Sequence, residues 1–130
     1  MNQRAEKMEV IQTLVEYTGR LINGINEAVD SFHEGMEGKG MDLVVQIIDG
    51  LKWSMEAISL TLDVQVEPID ISEMIEPFNA MVEALENMDY VLIGDILEYE
   101  ILPKVEEWNQ KLILTIGAYV WIFIKAIWIC

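Results

Sequence analysis

The chain has 130 residues, 52% of them hydrophobic, and a formal net charge of −15. That length suits one domain with a real core, and the apolar fraction excludes intrinsic disorder. The acidic balance repels phosphate backbones, so nucleic acid is not an expected partner, and neither is anionic lipid lying against the folded surface.

Residues Met1 to Val10 are mixed and charged, with no apolar signal-peptide core, so N-terminal secretion is not expected. A first helix is predicted from about Asn2 to Glu34. Its apolar stripe is Met8, Ile11, Val15, Thr18, Ile22, Ile25, Val29 and Phe32, widened by Leu14, Leu21 and Ala28. Gly19 and Gly24 lie inside it, and close approach of a neighbouring helix is their expected use. Gly35, Gly38 and Gly40 then read as a helix end followed by a short loop.

Asp42 opens the second predicted helix, which runs to about Leu62. Val44, Ile48, Leu51, Met55, Ile58 and Leu62 repeat at alternating steps of four and three, with Trp53 on the flank. Pro68 marks a connection over residues 63–71. Ser72, followed by Glu73 and Glu76, opens a third helix whose stripe is Ile71, Met74, Phe78, Met81, Leu85 and Met88. Pro77 falls early enough in it to be tolerated. Asn87 to Asp89 reads as a tight break. The fourth helix follows on Ile93, Leu97, Ile101, Val105, Trp108 and Leu112, with a kink expected near Tyr99 to Leu102 ahead of Pro103. Four matched stripes with short connections predict an all-α fold, an antiparallel up-down four-helix bundle over residues 1–111.

Residues 112–130 form an additional apolar C-terminal segment. Sixteen of the nineteen are apolar and Lys125 is the only charge. Three readings stand open: a buried extension of the fourth helix or a fifth helix, a membrane anchor with Lys104 and Lys111 on the cytoplasmic side, or a terminus foreign to this fold. The single cysteine, Cys130, allows no intrachain disulfide, which fits a reducing compartment.

The residue types offer no catalytic constellation, so an enzyme is not expected. His33 is the only histidine, whereas a di-iron bundle needs two Glu-x-x-His motifs. His33 reads instead as a surface residue at a helix end, where its charged form suits the dipole. Gly19-x-x-x-x-Gly24 is followed by Ile25 and Asn26 rather than Lys and Ser/Thr, and no strand precedes it, so it is not a phosphate loop. The calcium-loop spacing is absent as well. No cofactor or metal is implied. Tyr17, Trp53, Tyr90, Tyr99 and Trp108 offer large amphipathic surfaces of the kind enriched at interfaces and equally used between helices.

Leu14-Val15-Glu16-Tyr17-Thr18-Gly19 resembles the Leu-x-x-Tyr-x-Gly signature of the flagellar export chaperone family. Ala28-Val29 before a Gly-containing loop, Ile47-Ile48, Ile58 to Asp63, Asn79 to Leu85 and Val105 to Trp108 follow in a similar order. The resemblance covers roughly residues 10–110. It departs from the family at Met8 to Thr13, at Pro77 and Pro103, and after Lys111. It implies a cytoplasmic bacterial bundle that holds the disordered, helix-forming C-terminal segment of a secreted flagellin in apolar grooves. The expected function is therefore non-enzymatic binding of a protein partner with an amphipathic or disordered segment. Leu14, Tyr17, Trp53 and Trp108 are the candidate contact residues. The alternative is a structural or self-associating bundle, attached to a membrane or an oligomer through residues 112–130.

Overall fold

The computed structural model describes residues 3–129, and among these the fold is all-α with no strand. The expectations for Asn2 and Cys130 lie outside the described residues. Helix α1 spans Gln3–His33, α2 Glu37–Leu60, α3 Ile75–Glu86, α4 Tyr90–Ile96 and α5 Leu102–Ile129. A π-helical turn over Leu97–Ile101 joins α4 to α5 without a break, so the five helices make four rods.

Contacts at the rod ends set the topology. Lys7 near the start of α1 meets Asp63 just beyond α2, while Phe32 near the end of α1 lies over Gly40 in the first turn of α2. The two helices are therefore antiparallel. Asn109 of α5 donates to the Val15 carbonyl at 3.0 Å, and Glu98 lies 4.0 Å from His33, so the last rod is also antiparallel to α1. Helix α3 is short and runs back along that last rod.

The core lies between these rods. Ile11, Leu14, Ile25, Val44, Leu51, Ile58, Met74 and Met81 are buried in it. Ile93, Leu97, Ile101, Val105, Trp108 and Leu112, the whole predicted fourth stripe, are buried too. On α1 the Leu14, Leu21 and Ala28 row is buried, while Val15 and Ile22 are only half-buried. Helix α1 packs against both α2 and the last rod, and that two-sided burial turns its flank inward.

Four local expectations need correction. Helix α2 begins at Glu37, five residues before Asp42, because Gly38 and Gly40 are helical rather than loop. Only Gly35 takes the left-handed conformation, at φ 76°, that closes the turn. Gly19 and Gly24 approach no neighbouring helix among the described residues, since a Cβ on either meets nothing there within 4 Å. The close approaches occur on α2, where a Cβ at Gly40 would lie 2.7 Å from the Phe32 ring and one at Gly50 would lie 2.5 Å from Tyr17 Oη. Helix α3 starts at Ile75 after a 3₁₀ turn over Ile71–Met74, and that turn is capped by Asp70, whose Oδ1 accepts from the Ser72 N–H at 3.0 Å.

Pro103 has its effect just upstream, in the π turn rather than in plain α-helix. Its missing N–H would leave the Tyr99 carbonyl without its helical partner, and the wider turn over Leu97–Ile101 absorbs the mismatch. The same turn keeps Ile93, Leu97, Ile101 and Val105 on one line. Steps of four in an uninterrupted α-helix would drift off that line. The break before α4 is built by Met88 at φ 53° and by Asp89, whose Oδ1 accepts from the Leu92 N–H at 3.2 Å.

Leu112, Thr115 and half-buried Ile116 still pack on the bundle. Beyond Gly117 helix α5 leaves it, and Tyr119 to Ile124, Ile127 and Trp128 are exposed. The segment therefore continues α5 as a helix but is not a buried extension past its first turn. Where α5 departs, a polar network fastens the connection after α2. Gln65 Nε2 donates to the Ile58 carbonyl at 2.9 Å and to Thr61 Oγ1 at 3.1 Å, and its Oε1 accepts from the Ile69 N–H at 2.9 Å. The Val66 N–H then donates to Thr115 Oγ1 at 3.1 Å, which ties this connection to α5.

Candidate partner-binding groove

Tyr17 and Trp53 are brought together by the α1–α2 pairing. Gly50 lacks a side chain, so the Tyr17 ring can lie against α2, with Oη where a Cβ would be. Trp53, one helical turn from Gly50, meets that ring edge to face, with centroids 5.0 Å apart. The Arg20 guanidinium lies over the Tyr17 ring, 5.8 Å from its centroid. Tyr17 is half-buried and Trp53 is 40% exposed, so the pair has both a fixed base and a free face.

Two depressions flank this pair along the α1–α2 junction. One, of about 450 Å³, is floored by Val10, Trp53, Ala57 and Leu60 and rimmed by Glu6, Lys7 and Glu56. The other, of about 130 Å³, lies among Tyr17, Leu21, Leu43 and Ile47, with Arg20 and Gln46 at its edge. Together they form an interrupted apolar line with charged rims. This is the form a shallow groove takes when it receives one face of an amphipathic helix.

Lys7 closes the lower end of the line through its ion pair with Asp63 at 2.8 Å. The hydrogen bond from Lys7 holds the Asp63 carboxyl below its ordinary range. Lys7 is half-buried and Asp63 exposed, so the pair positions the start of α1 more than it stabilises the fold.

The four expected contact residues divide by burial. Leu14 is 0% exposed and Trp108 4%, so both belong to the core and present no surface to a partner. Each falls where α1 or α5 faces another rod, and a large apolar side chain there contributes more to packing than to recognition. Tyr17 and Trp53 do reach the surface, and they do so side by side. Val10, Leu43 and Leu60 line the groove and were not singled out from the sequence. The available signal was that they are apolar positions lying beside the helical stripes. Gly50 carried a second signal, as a helical glycine one turn from a tryptophan.

The remaining polar sites are more diffuse. An open cleft of about 400 Å³ between α3 and the last rod is lined by Glu73, Glu76, Glu100 and Glu107, with Lys104 and Tyr99. A hydrogen bond to Glu98 raises the Tyr99 hydroxyl above its ordinary value, and one to Glu107 does the same for the Lys111 ammonium. Among the described residues, no group of three or more His, Cys, Asp or Glu side chains is placed to hold a metal ion. His33 closes α1 at the surface.

The sequence profile of a family described as Domain of unknown function (DUF8042) matches residues 9–111, and the chain belongs to that family. Comparison with curated proteins gives no match, and comparison with solved structures gives none either.

Proposed function

For this member of that family of unknown function, we propose a non-enzymatic role in binding proteins. The bundle holds a helix-forming, amphipathic or disordered segment of a partner in the α1–α2 groove. One observation carries the reading. Tyr17 and Trp53 stand edge to face in the middle of an apolar line whose rims are charged. Rigid aromatics on a firm base are the usual anchors of such contacts. The net charge of −15 favours a segment that carries basic residues on its outer face.

The resemblance of residues 14–19 to the flagellar export chaperone signature supports a secreted, flagellin-like client and a cytoplasmic, bacterial setting. Tyr17, the tyrosine of that signature, lies in the groove.

Titration of the full chain with a flagellin C-terminal peptide, followed by calorimetry and circular dichroism, tests the proposal. The peptide gains helicity on binding. Trp53→Ala weakens the complex about tenfold or more, as expected for loss of an aromatic contact of at least ~1.4 kcal/mol, and leaves the fold intact. Absence of both heat and helicity change with flagellin-derived peptides would remove the chaperone reading. Equal affinity in Trp53→Ala would remove the groove.

A further inference from the structure

We infer that the free part of α5 inserts into a neutral lipid bilayer, with the end of the bundle from which it emerges resting on the membrane surface. The first observation is the distribution of apolar groups. Val120, Trp121, Ile122, Phe123 and Ile124 follow one another without a polar residue, and each is at least 42% exposed. Five in a row exceed one turn of about 3.6 residues, so every direction around the axis is apolar. A second copy of the chain packing against this helix would cover one stripe and leave the rest in water. A bilayer covers all sides at once.

Length agrees with this occupant. The rod from Tyr90 to Trp128 contains an 18-residue stretch apolar enough to enter a membrane, and only 11% of that stretch is buried. Beyond Gly117, where α5 has left the bundle, the free helix to Ile129 rises about 18 Å at about 1.5 Å per residue, enough to enter the hydrocarbon without crossing it. The hydrocarbon core is about 30 Å thick. Lys125, the one charge, lies four residues before Ile129, where its flexible stem can carry the ammonium toward headgroups.

The bundle supplies a second and independent observation at the point of exit. Leu60, Leu62 and Val66 are 66%, 41% and 56% exposed. The Val66 N–H bonds to Thr115 Oγ1, so this apolar rim adjoins α5 just before it leaves the core. The rim thus adds exposed apolar side chains, interspersed with the exposed carboxylates of Asp63 and Glu67, at the end of the bundle where the tail begins. The charge of −15 opposes anionic headgroups and selects a zwitterionic surface.

Flotation of the full chain with phosphatidylcholine vesicles, alone or mixed with phosphatidylglycerol, tests this. The chain floats with the neutral vesicles, and floats less with the mixed ones at low salt. The Trp121 and Trp128 emission shifts to the blue. The double variant Trp121→Asp, Ile124→Asp lowers partitioning at least about a hundredfold, the equivalent of a central charge penalty. Both positions are exposed beyond the bundle, so its circular dichroism and melting stay unchanged. Lys125→Leu partitions more strongly than the wild type. Full-length protein that stays in the dense fraction, as a monomer or as a self-associated species, overturns the inference. So does a double variant that floats as well as the wild type, or a preference for the anionic vesicles. Trp53→Ala floats normally, which keeps this outcome separate from that of the groove.

Discussion

Replacing Gly40 with alanine isolates a packing effect from a helix-propensity effect. In a helix interior the change from Gly to Ala stabilises by up to about 1 kcal/mol. Gly24, in the middle of α1 with nothing within 4 Å of an added Cβ, should show that gain in full. At Gly40 the added Cβ would lie 2.7, 2.8 and 3.0 Å from three atoms of the Phe32 ring. The ring has little freedom to retreat. It stacks on Tyr90 at 6.2 Å between centroids, and its Cβ lies close to Gly94. Overpacking of this kind costs about 1–3 kcal/mol, and the propensity gain in a first turn is below its interior value, so Gly40→Ala should lose about 1–2 kcal/mol net. For a domain of this size 1 kcal/mol is about 4 °C in Tm. Differential scanning calorimetry should therefore place Gly24→Ala above the wild type and Gly40→Ala below it. A double-mutant cycle with Phe32→Leu then assigns the cause, because the smaller side chain makes room for the methyl group. The reasoning fails if Gly40→Ala melts as high as Gly24→Ala, or if its cost is undiminished in the Phe32→Leu background.

Gln65→Leu should cost about 1–2 kcal/mol by urea denaturation, because the Ile69 N–H loses its buried partner, whereas the Ile58 carbonyl still accepts from Thr61. Ser54→Ala should raise stability by about 1 kcal/mol in the same assay, since Ser54 Oγ is buried with no hydrogen-bond partner among the described residues. Gly35→Ala should lower stability by about 1 kcal/mol, because φ 76° is strained for any residue with a Cβ. Asp63 supplies a pH test. Its folded value is depressed by Lys7, so its contribution is present above the unfolded value near 3.8 and is lost as pH falls through the lower folded value. Any Tm advantage of the wild type over Asp63→Asn should hold at neutral pH, vanish below that window, and shrink in high salt.

Periodicity alone determined that this chain is helical and which face of the last rod turns inward, whereas Leu62 and Met88 of the predicted second and third stripes are exposed. The fourth stripe, Ile93 to Leu112, was legible residue by residue because a last rod packed on α1 and α3 must bury one continuous line. Pro103 and the Asn87–Asp89 break were legible for the same local reason, since a missing N–H and a turn act within a few residues of themselves. Glycines were not legible in this way. Gly19 and Gly24 look like contact points in sequence and touch nothing, whereas Gly40 and Gly50 receive Phe32 and Tyr17. A missing Cβ has meaning only when another helix supplies the side chain that fills its place, and that depends on how the rods are rotated and staggered. The same rotation divided the candidate contact residues, sending Leu14 and Trp108 inward and leaving Tyr17 against Trp53 at the surface. The apolar character of residues 112–130 was plain from composition. That it continues α5 past the last core contact, bare on every side, was decided by the tertiary structure, because α5 outruns the rods that could have covered it.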